Sequence, residues 1–221
     1  FGGGYTGSRS NVMDYITIAT TGNATDFGDL TVAREECSGL NSTTRGVMGG
    51  GYLGSRSNVM DYITIASAGN ATDFGDLLDP TNDTIASCNS DVRGIFAGGT
   101  TIAAGAPTNY RTNVIQYITI ATTGNATDFG DLTVATIGMS GVNSDVRGVF
   151  AGGYDGSYTN VIQYITIATT GNATDFGDLT VARDGLAGAN STTRGVFGGG
   201  YTGSRSNVMD YITIATTGNA T

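Results

Sequence analysis

The sequence contains no Lys, no His and no Trp, and only 2 Pro and 2 Cys in 221 residues. Without His or Lys it cannot assemble a Ser-His pair, an imidazole metal site or an amine nucleophile, which removes most routes for acyl transfer and Schiff-base chemistry. Positive charge comes from Arg alone, 10 residues against 19 acidic ones for a formal net charge of −9. That is the wrong balance for a surface that must neutralise phosphates, so nucleic acid is not an expected partner. No apolar run approaches the roughly 18 residues of a spanning helix, so membrane insertion is not expected, and no secretory leader can be read. With so little Pro, the turns fall to Gly, Asn, Asp and Ser, and Gly supplies 36 residues.

What the chain does have is a repeat. The string Tyr-Ile-Thr-Ile-Ala starts at Tyr15, Tyr62, Tyr117, Tyr164 and Tyr211, with spacings of 47, 55, 47 and 47 residues. Residues Phe1 to Thr25 are identical, letter for letter, to Phe197 to Thr221. A fixed period of this length marks modules that cannot bury an apolar face alone and must stack on neighbours. The expected organisation is a single repeat domain over 1–221, with units of about 47 residues cut mid-repeat at both ends, as in a fragment of a longer tandem array. Within the alignment Cys37 stands level with Met139 and Leu186, and Cys88 with Val142 and Ala189, so both read as small apolar residues rather than as a disulfide.

One unit divides into four strand-sized pieces. A short stretch around Val142 ends at the turn Asn143 to Arg147; Gly148 to Tyr154 follows and ends in a Gly-rich bend. Asn160 to Thr169 carries apolar residues on both parities, the mark of a strand covered on both faces. Ala173 to Leu179 closes the unit after the turn Thr170-Gly171-Asn172. Four short antiparallel strands per module, stacked face to face, define the expected fold: all-β, a β-propeller of four-stranded blades with about five blade positions. Eighteen such strands fit the chain, two short of five complete blades.

These residues carry a resemblance. An apolar strand ending in Gly-Gly (Ala151 to Tyr154), the spaced Asn160 to Tyr164 strand, the following aromatic Phe176 and Arg183 before the next unit together resemble the kelch repeat, over the whole chain. The departures are Phe27, Phe74, Phe129 and Phe176 where the family has Trp, Ile after the Tyr, and Thr136 in place of the Arg found at Arg34 and Arg183. The near-identical tandem units also resemble repeats in virion fibre and adhesion proteins of marine bacteriophages. The resemblance implies an extracellular or virion location. A copper oxidase belongs to the wider kelch-like group, but its ligand set needs His, so no cofactor is expected here.

Differences between copies fall on one side of the expected blades, where the second-to-third loops and the interblade stretches emerge. The loops read Tyr5 to Arg9, Tyr52 to Arg56 and Tyr154 to Tyr158, with a copy at Tyr201 to Arg205 and a longer version between Gly99 and Asn113. Loops on a rigid scaffold carry binding, and Tyr and Arg give large contact areas and directional hydrogen bonds. The candidate ligand-binding residues are therefore Tyr5, Arg9, Tyr52, Arg56, Asn109, Tyr110, Arg111, Tyr154, Asp155, Tyr158, Tyr201 and Arg205. The expected ligand is a glycan or a surface protein, since Tyr rings stack on sugar faces while Asp, Asn and Arg bind hydroxyls. The expected function is thus a non-enzymatic binding or adhesion module; the alternative is a passive structural or self-assembling scaffold, because an unclosed sheet edge invites self-association.

The opposite side is nearly constant, with Thr-Gly-Asn-Ala-Thr at four turns and Ala68 to Thr72 at the fifth. There Arg45, Arg93, Arg147 and Arg194 are expected to pair with an Asp or with carbonyls of their own blade. The tripeptide Asp-Phe-Gly at Asp26, Asp73, Asp128 and Asp175 has no Lys to make it a kinase signature, and its Asp spacing lacks the ligand density of a calcium loop; no metal is expected.

Overall fold

The computed structural model describes residues 1–82, 85–101 and 110–221. The described residues form antiparallel sheets in chain order. A two-stranded sheet holds β1 (Val12–Tyr15) and β2 (Thr25–Asp29), and the second blade holds β3 (Ser38–Asn41), β4 (Arg45–Gly49), β5 (Val59–Thr64) and β6 (Thr72–Asp76). After β7 (Thr81–Asn82) comes the third blade, β8 (Ala86–Asn89), β9 (Arg93–Ala97), β12 (Val114–Thr119) and β13 (Thr127–Asp131), interrupted by β10 (Thr100–Thr101) and β11 (Tyr110–Arg111). The fourth blade is β14 (Ser140–Asn143), β15 (Arg147–Ala151), β16 (Val161–Thr166) and β17 (Thr174–Asp178). The fifth is β18 (Ala187–Asn190), β19 (Arg194–Gly198) and β20 (Met209–Thr213).

The architecture is a β-propeller. Four sheets contribute an innermost strand, and β3, β8, β14 and β18 lie against one another in that order. Their approach is close because Gly faces backbone there: a Cβ on Gly141 would stand 2.1 Å from the carbonyl oxygen of Ser87. Of the five blade positions, the second, third and fourth hold four strands, the fifth three and the first two. The strands β7, β10 and β11 depart from the blade pattern and make a small separate sheet in the order β11-β10-β7.

The third strand is covered on both faces in the second, third and fourth blades, as its composition predicts, whereas β1 and β20 are covered on one face. In β16 both Ile162 and Gln163, on opposite faces, are buried. The apolar side chains form clusters between successive blades: Val142 and Val149 of the fourth blade pack with Phe197 and Ile212 of the fifth. This is the burial that a lone module cannot achieve.

The Asp-Phe-Gly tripeptide is a β-bulge. In the second blade Met60 opposes Gly75 and Asp61 opposes Asp73, which leaves Phe74 as the extra residue, and the same shift occurs in β2, β13 and β17. Phe74 is buried and meets Tyr62 edge to face at 6.0 Å, a pair repeated as Tyr117 with Phe129 and Tyr164 with Phe176. The Gly of each bulge has positive φ and lies under the turn of the following blade. A Cβ on Gly130 (φ 144°) would meet the carbonyl oxygen of Gly171 at 2.5 Å.

That turn explains the constant side of the molecule. Gly171 N–H donates to the Phe129 carbonyl at 2.7 Å and Ala173 N–H to the Asp131 carbonyl at 2.8 Å, while Asn172 Oδ1 accepts from Asp131 N–H at 3.0 Å. Each turn thereby adds a short strand to the fourth strand of the preceding blade, and the contact recurs at Gly69, Gly124 and Gly218. The Gly-Asn-Ala sequence is fixed by this grip on its neighbour.

Candidate functional site

In the first, second, fourth and fifth blades the second-to-third loop is a tight turn held at a fixed place on the variable side. The preceding Gly pair has positive φ, 67° at Gly152 and 107° at Gly153, and a Cβ at either would strike backbone of the adjoining linkers. Tyr154 then bridges Tyr158 across the turn, as Tyr5 does Arg9, Tyr52 does Arg56 and Tyr201 does Arg205. Asp155 Oδ1 closes the turn by accepting from Ser157 N–H at 3.1 Å. The first residue of the turn is also tied to the linker that enters its blade. Tyr52 exchanges backbone hydrogen bonds with Glu35, Tyr154 with Ile137 and Tyr201 with Asp184, at 2.8 to 3.1 Å.

In the first four blades the last residue of the loop reaches forward to the next blade. Arg9 lies 4.6 Å over the Tyr52 ring and pairs with Glu35 at 3.2 Å. Arg56 Nε donates to the Thr100 carbonyl at 3.0 Å, and Arg111 lies 5.7 Å from the Tyr154 ring centre. Tyr158 meets Tyr154 at 5.6 Å and Tyr201 at 5.8 Å, both edge to face. The result is one ridge of phenol rings and guanidinium groups that crosses the joints from Tyr5 to Arg205. It breaks only at Thr100, where the third blade has Thr in the place of Tyr and the sheet of β7, β10 and β11 stands instead.

The structure thus brings together eleven of the residues singled out from sequence, namely Tyr5, Arg9, Tyr52, Arg56, Tyr110, Arg111, Tyr154, Asp155, Tyr158, Tyr201 and Arg205. Asn109 lies outside the described residues. Tyr5 is 60% exposed, Tyr110 47% and Tyr201 44%, so the ridge presents aromatic surface to solvent. Sequence reasoning missed Glu35, Thr100 and Asp184 as parts of it. The signal was present, since Glu35 and Asp184 sit in the interblade stretches that differ between copies.

The ridge has local electrostatics of its own. Burial pushes the Asp184 carboxyl above the ordinary aspartate value, with a backbone hydrogen bond opposing the shift. The Tyr158 phenol is pushed up as well, first by desolvation and then by Tyr201, Asp184 and Tyr154 beside it.

On the constant side the hairpin Arg residues depart from expectation. Arg45, Arg93 and Arg147 stack on Tyr62, Tyr117 and Tyr164 of their own blades at 4.2 Å. Their Nη1 groups donate to the carbonyls of Ile120, Ile167 and Ile214, each at 2.9 Å and each in the following blade rather than in their own. The Asp partner is not used because the ring of the third-strand Tyr occupies one face of the guanidinium and the next blade supplies the acceptor. Beside this contact, Asn89 Nδ2 donates to the Asn41 carbonyl and Asn190 Nδ2 to that of Asn143, joining the ends of the innermost strands.

Two further contacts lie in the joints. Arg34 pairs with Asp61 at 2.9 Å and Arg183 with Asp210 at 2.8 Å, and all four side chains are sealed from solvent. Where the third strand has Gln163 instead of Asp, the linker has Thr136 in the place of Arg, and Thr133, the counterpart of Thr31, donates from its N–H and hydroxyl to Gln163 Oε1. Among the described residues no group of three or more Cys, Asp or Glu side chains is placed to hold a metal ion. No protein-family model matches the chain, and a comparison with curated proteins finds no match either.

Proposed function

We propose that the chain is a non-enzymatic binding module of adhesion type that recognises carbohydrate along the Tyr and Arg ridge of its variable side. The observation that carries this reading is an asymmetry of cause. The constant side is held constant by bonds between blades, whereas on the other side partly exposed Tyr and Arg side chains form a ridge, interrupted at Thr100, that includes the positions where copies differ, Asp155, Tyr158 and the small sheet of the third blade. Rings of Tyr5, Tyr110 and Tyr201 offer flat apolar faces to sugar rings, and Arg56, Arg111, Asp155 and Arg205 offer donors and acceptors for hydroxyls. The small sheet that carries Tyr110 and Arg111 makes the third blade the place where specificity departs from the repeat.

On this reading the unit is a kelch-type blade with Phe in place of Trp, and the setting is extracellular, on a virion fibre or a cell surface. A glycan array probed with the wild-type chain and with a Tyr110→Ala/Arg111→Ala variant tests it. Binding that falls in the variant supports the ridge as the site, and equal signals from both chains remove it. A second reading is a structural repeat that builds an array from near-identical modules, each packed on the next.

A further inference from the structure

We propose that the joint between the fourth and fifth blades is a subsite for a cationic group, the protonated amine of an amino sugar, held beside Tyr158, Tyr201 and Asp184. The inference rests on the carbohydrate reading of the ridge and names the kind of sugar. It comes from comparing one joint with another. At the joint between the first and second blades, Arg9 lies 4.6 Å over the Tyr52 ring and pairs with Glu35 at 3.2 Å. A ring, a carboxylate and a guanidinium satisfy one another there.

The joint between the fourth and fifth blades keeps two members of that set and lacks the third. Tyr201 stands where Tyr52 does and Asp184 where Glu35 does, and each Tyr exchanges backbone hydrogen bonds with its acid at 2.8 and 3.1 Å. The backbone frame is therefore the same at both joints. In the place of Arg9, however, the loop of the fourth blade ends in Tyr158. Among the described residues no Arg pairs with Asp184, whereas Glu35 has Arg9. The joint before it departs the other way, with Arg111 5.7 Å from the Tyr154 ring centre and Ile137 in the place of the acid.

What replaces the cation is more aromatic surface. Tyr158 meets Tyr201 at 5.8 Å with the ring planes at 73°, and meets Tyr154 at 5.6 Å. The Tyr158 phenol feels Tyr201, Asp184 and Tyr154 together, which puts the carboxylate beside the rings. Ring faces are electron-rich and the carboxylate is negative, so both draw a positive group to the same place. Asp184 is partly desolvated, which strengthens that attraction, and the net charge of −9 brings cations toward the surface. A sugar amine suits the joint because the same phenol rings accept the apolar face of the sugar that carries it.

Isothermal titration calorimetry with two probes tests this: the trimer of glucosamine, in a buffer that keeps its amines protonated, and the trimer of N-acetylglucosamine. The wild-type chain should bind the free-amine trimer about tenfold more tightly than the acetylated one. Tyr158→Arg installs the residue that Arg9, Arg56 and Arg205 already are in the other turns, so the fold tolerates it. It supplies the missing cation from within and should abolish the preference, as should Asp184→Asn. Tyr158→Phe keeps the ring and should retain the preference. Equal affinity of the wild-type chain for the two trimers overturns the cation subsite and leaves carbohydrate recognition standing. A preference that survives both Tyr158→Arg and Asp184→Asn overturns it as well, because it then comes from the net charge of −9 and not from this joint. Binding of neither trimer also overturns the subsite, and the glycan array with the Tyr110→Ala/Arg111→Ala variant then decides the carbohydrate reading by itself.

Discussion

Arg34 and Asp61 form an ion pair at 2.9 Å across the joint between the first sheet and the second blade, with neither side chain exposed to water. Arg183 and Asp210 repeat it between the fourth and fifth blades. Where the linker has Thr136, the third strand has Gln163. The buried charges thus occur as matched sets, each joint carrying either both members or neither.

The first prediction concerns that matching. Arg34→Thr alone leaves the Asp61 carboxylate buried without its cation and should cost about 3–5 kcal/mol. Adding Asp61→Gln copies the arrangement of Thr136 and Gln163 and should restore most of the loss. Urea denaturation of the two single variants and the double variant measures the coupling; additive losses would show that the pair is not a unit.

A second prediction follows from the hairpin Arg residues. Arg147→Met removes the stack on Tyr164 and the bond to the Ile214 carbonyl and should cost about 2 kcal/mol. Arg194 stacks on Tyr211 at 4.7 Å and makes no such carbonyl bond among the described residues, so Arg194→Met should cost less in dilute solution. Thermal unfolding of the two variants at low protein concentration compares them, and equal losses would assign the stability to the stack alone.

The Gly of each bulge supplies a third. Gly130→Ala forces an L side chain into a positive φ and drives its Cβ against the Gly171 carbonyl, which should cost more than about 1 kcal/mol. The grip of the fourth blade on the third should loosen first. Hydrogen exchange at Gly171 and Ala173 is the readout, and unchanged protection at both amides would count against the grip.

The fourth concerns pH. The folded state holds the Asp184 carboxyl above its ordinary value by burial, so it binds a proton more tightly than the unfolded chain does. The contribution of this group to stability is therefore greatest in acid and falls as pH rises through the window between the ordinary and the raised value. Asp184→Asn should flatten that part of the stability profile. A carboxyl NMR titration of Asp184 should give a midpoint above 3.8, and a midpoint at or below that value would contradict the shift.

Much of this fold was legible in the sequence because the molecule repeats itself. The five Tyr-Ile-Thr-Ile-Ala strings, the apolar residues on both parities of the third strand and the Gly-rich bends reveal strands, stacking and blades without a partner sequence. The variable side was legible for the same reason, since copies of one module can be compared with each other. Interactions between modules were harder to see. Arg147 finds its acceptor 67 residues later, in the next blade, and a search within one unit assigns it to an Asp nearby. The pairing of Arg34 with Asp61 and of Thr136 with Gln163 was written in the differences between copies, but reading it required knowing that a linker faces the third strand of the following blade. The small sheet of β7, β10 and β11 had no local signal, because its two-residue strands are joined only by the tertiary fold.

The backward grip of each Gly-Asn-Ala turn has a consequence for how such a chain can change over generations. Since every module fastens itself to the one before it through the same atoms, duplication or loss of a whole module leaves the surviving seams chemically unaltered. Recombination between near-identical gene segments can then lengthen or shorten the array without a compensating point mutation, while substitutions on the ridge alter what is touched.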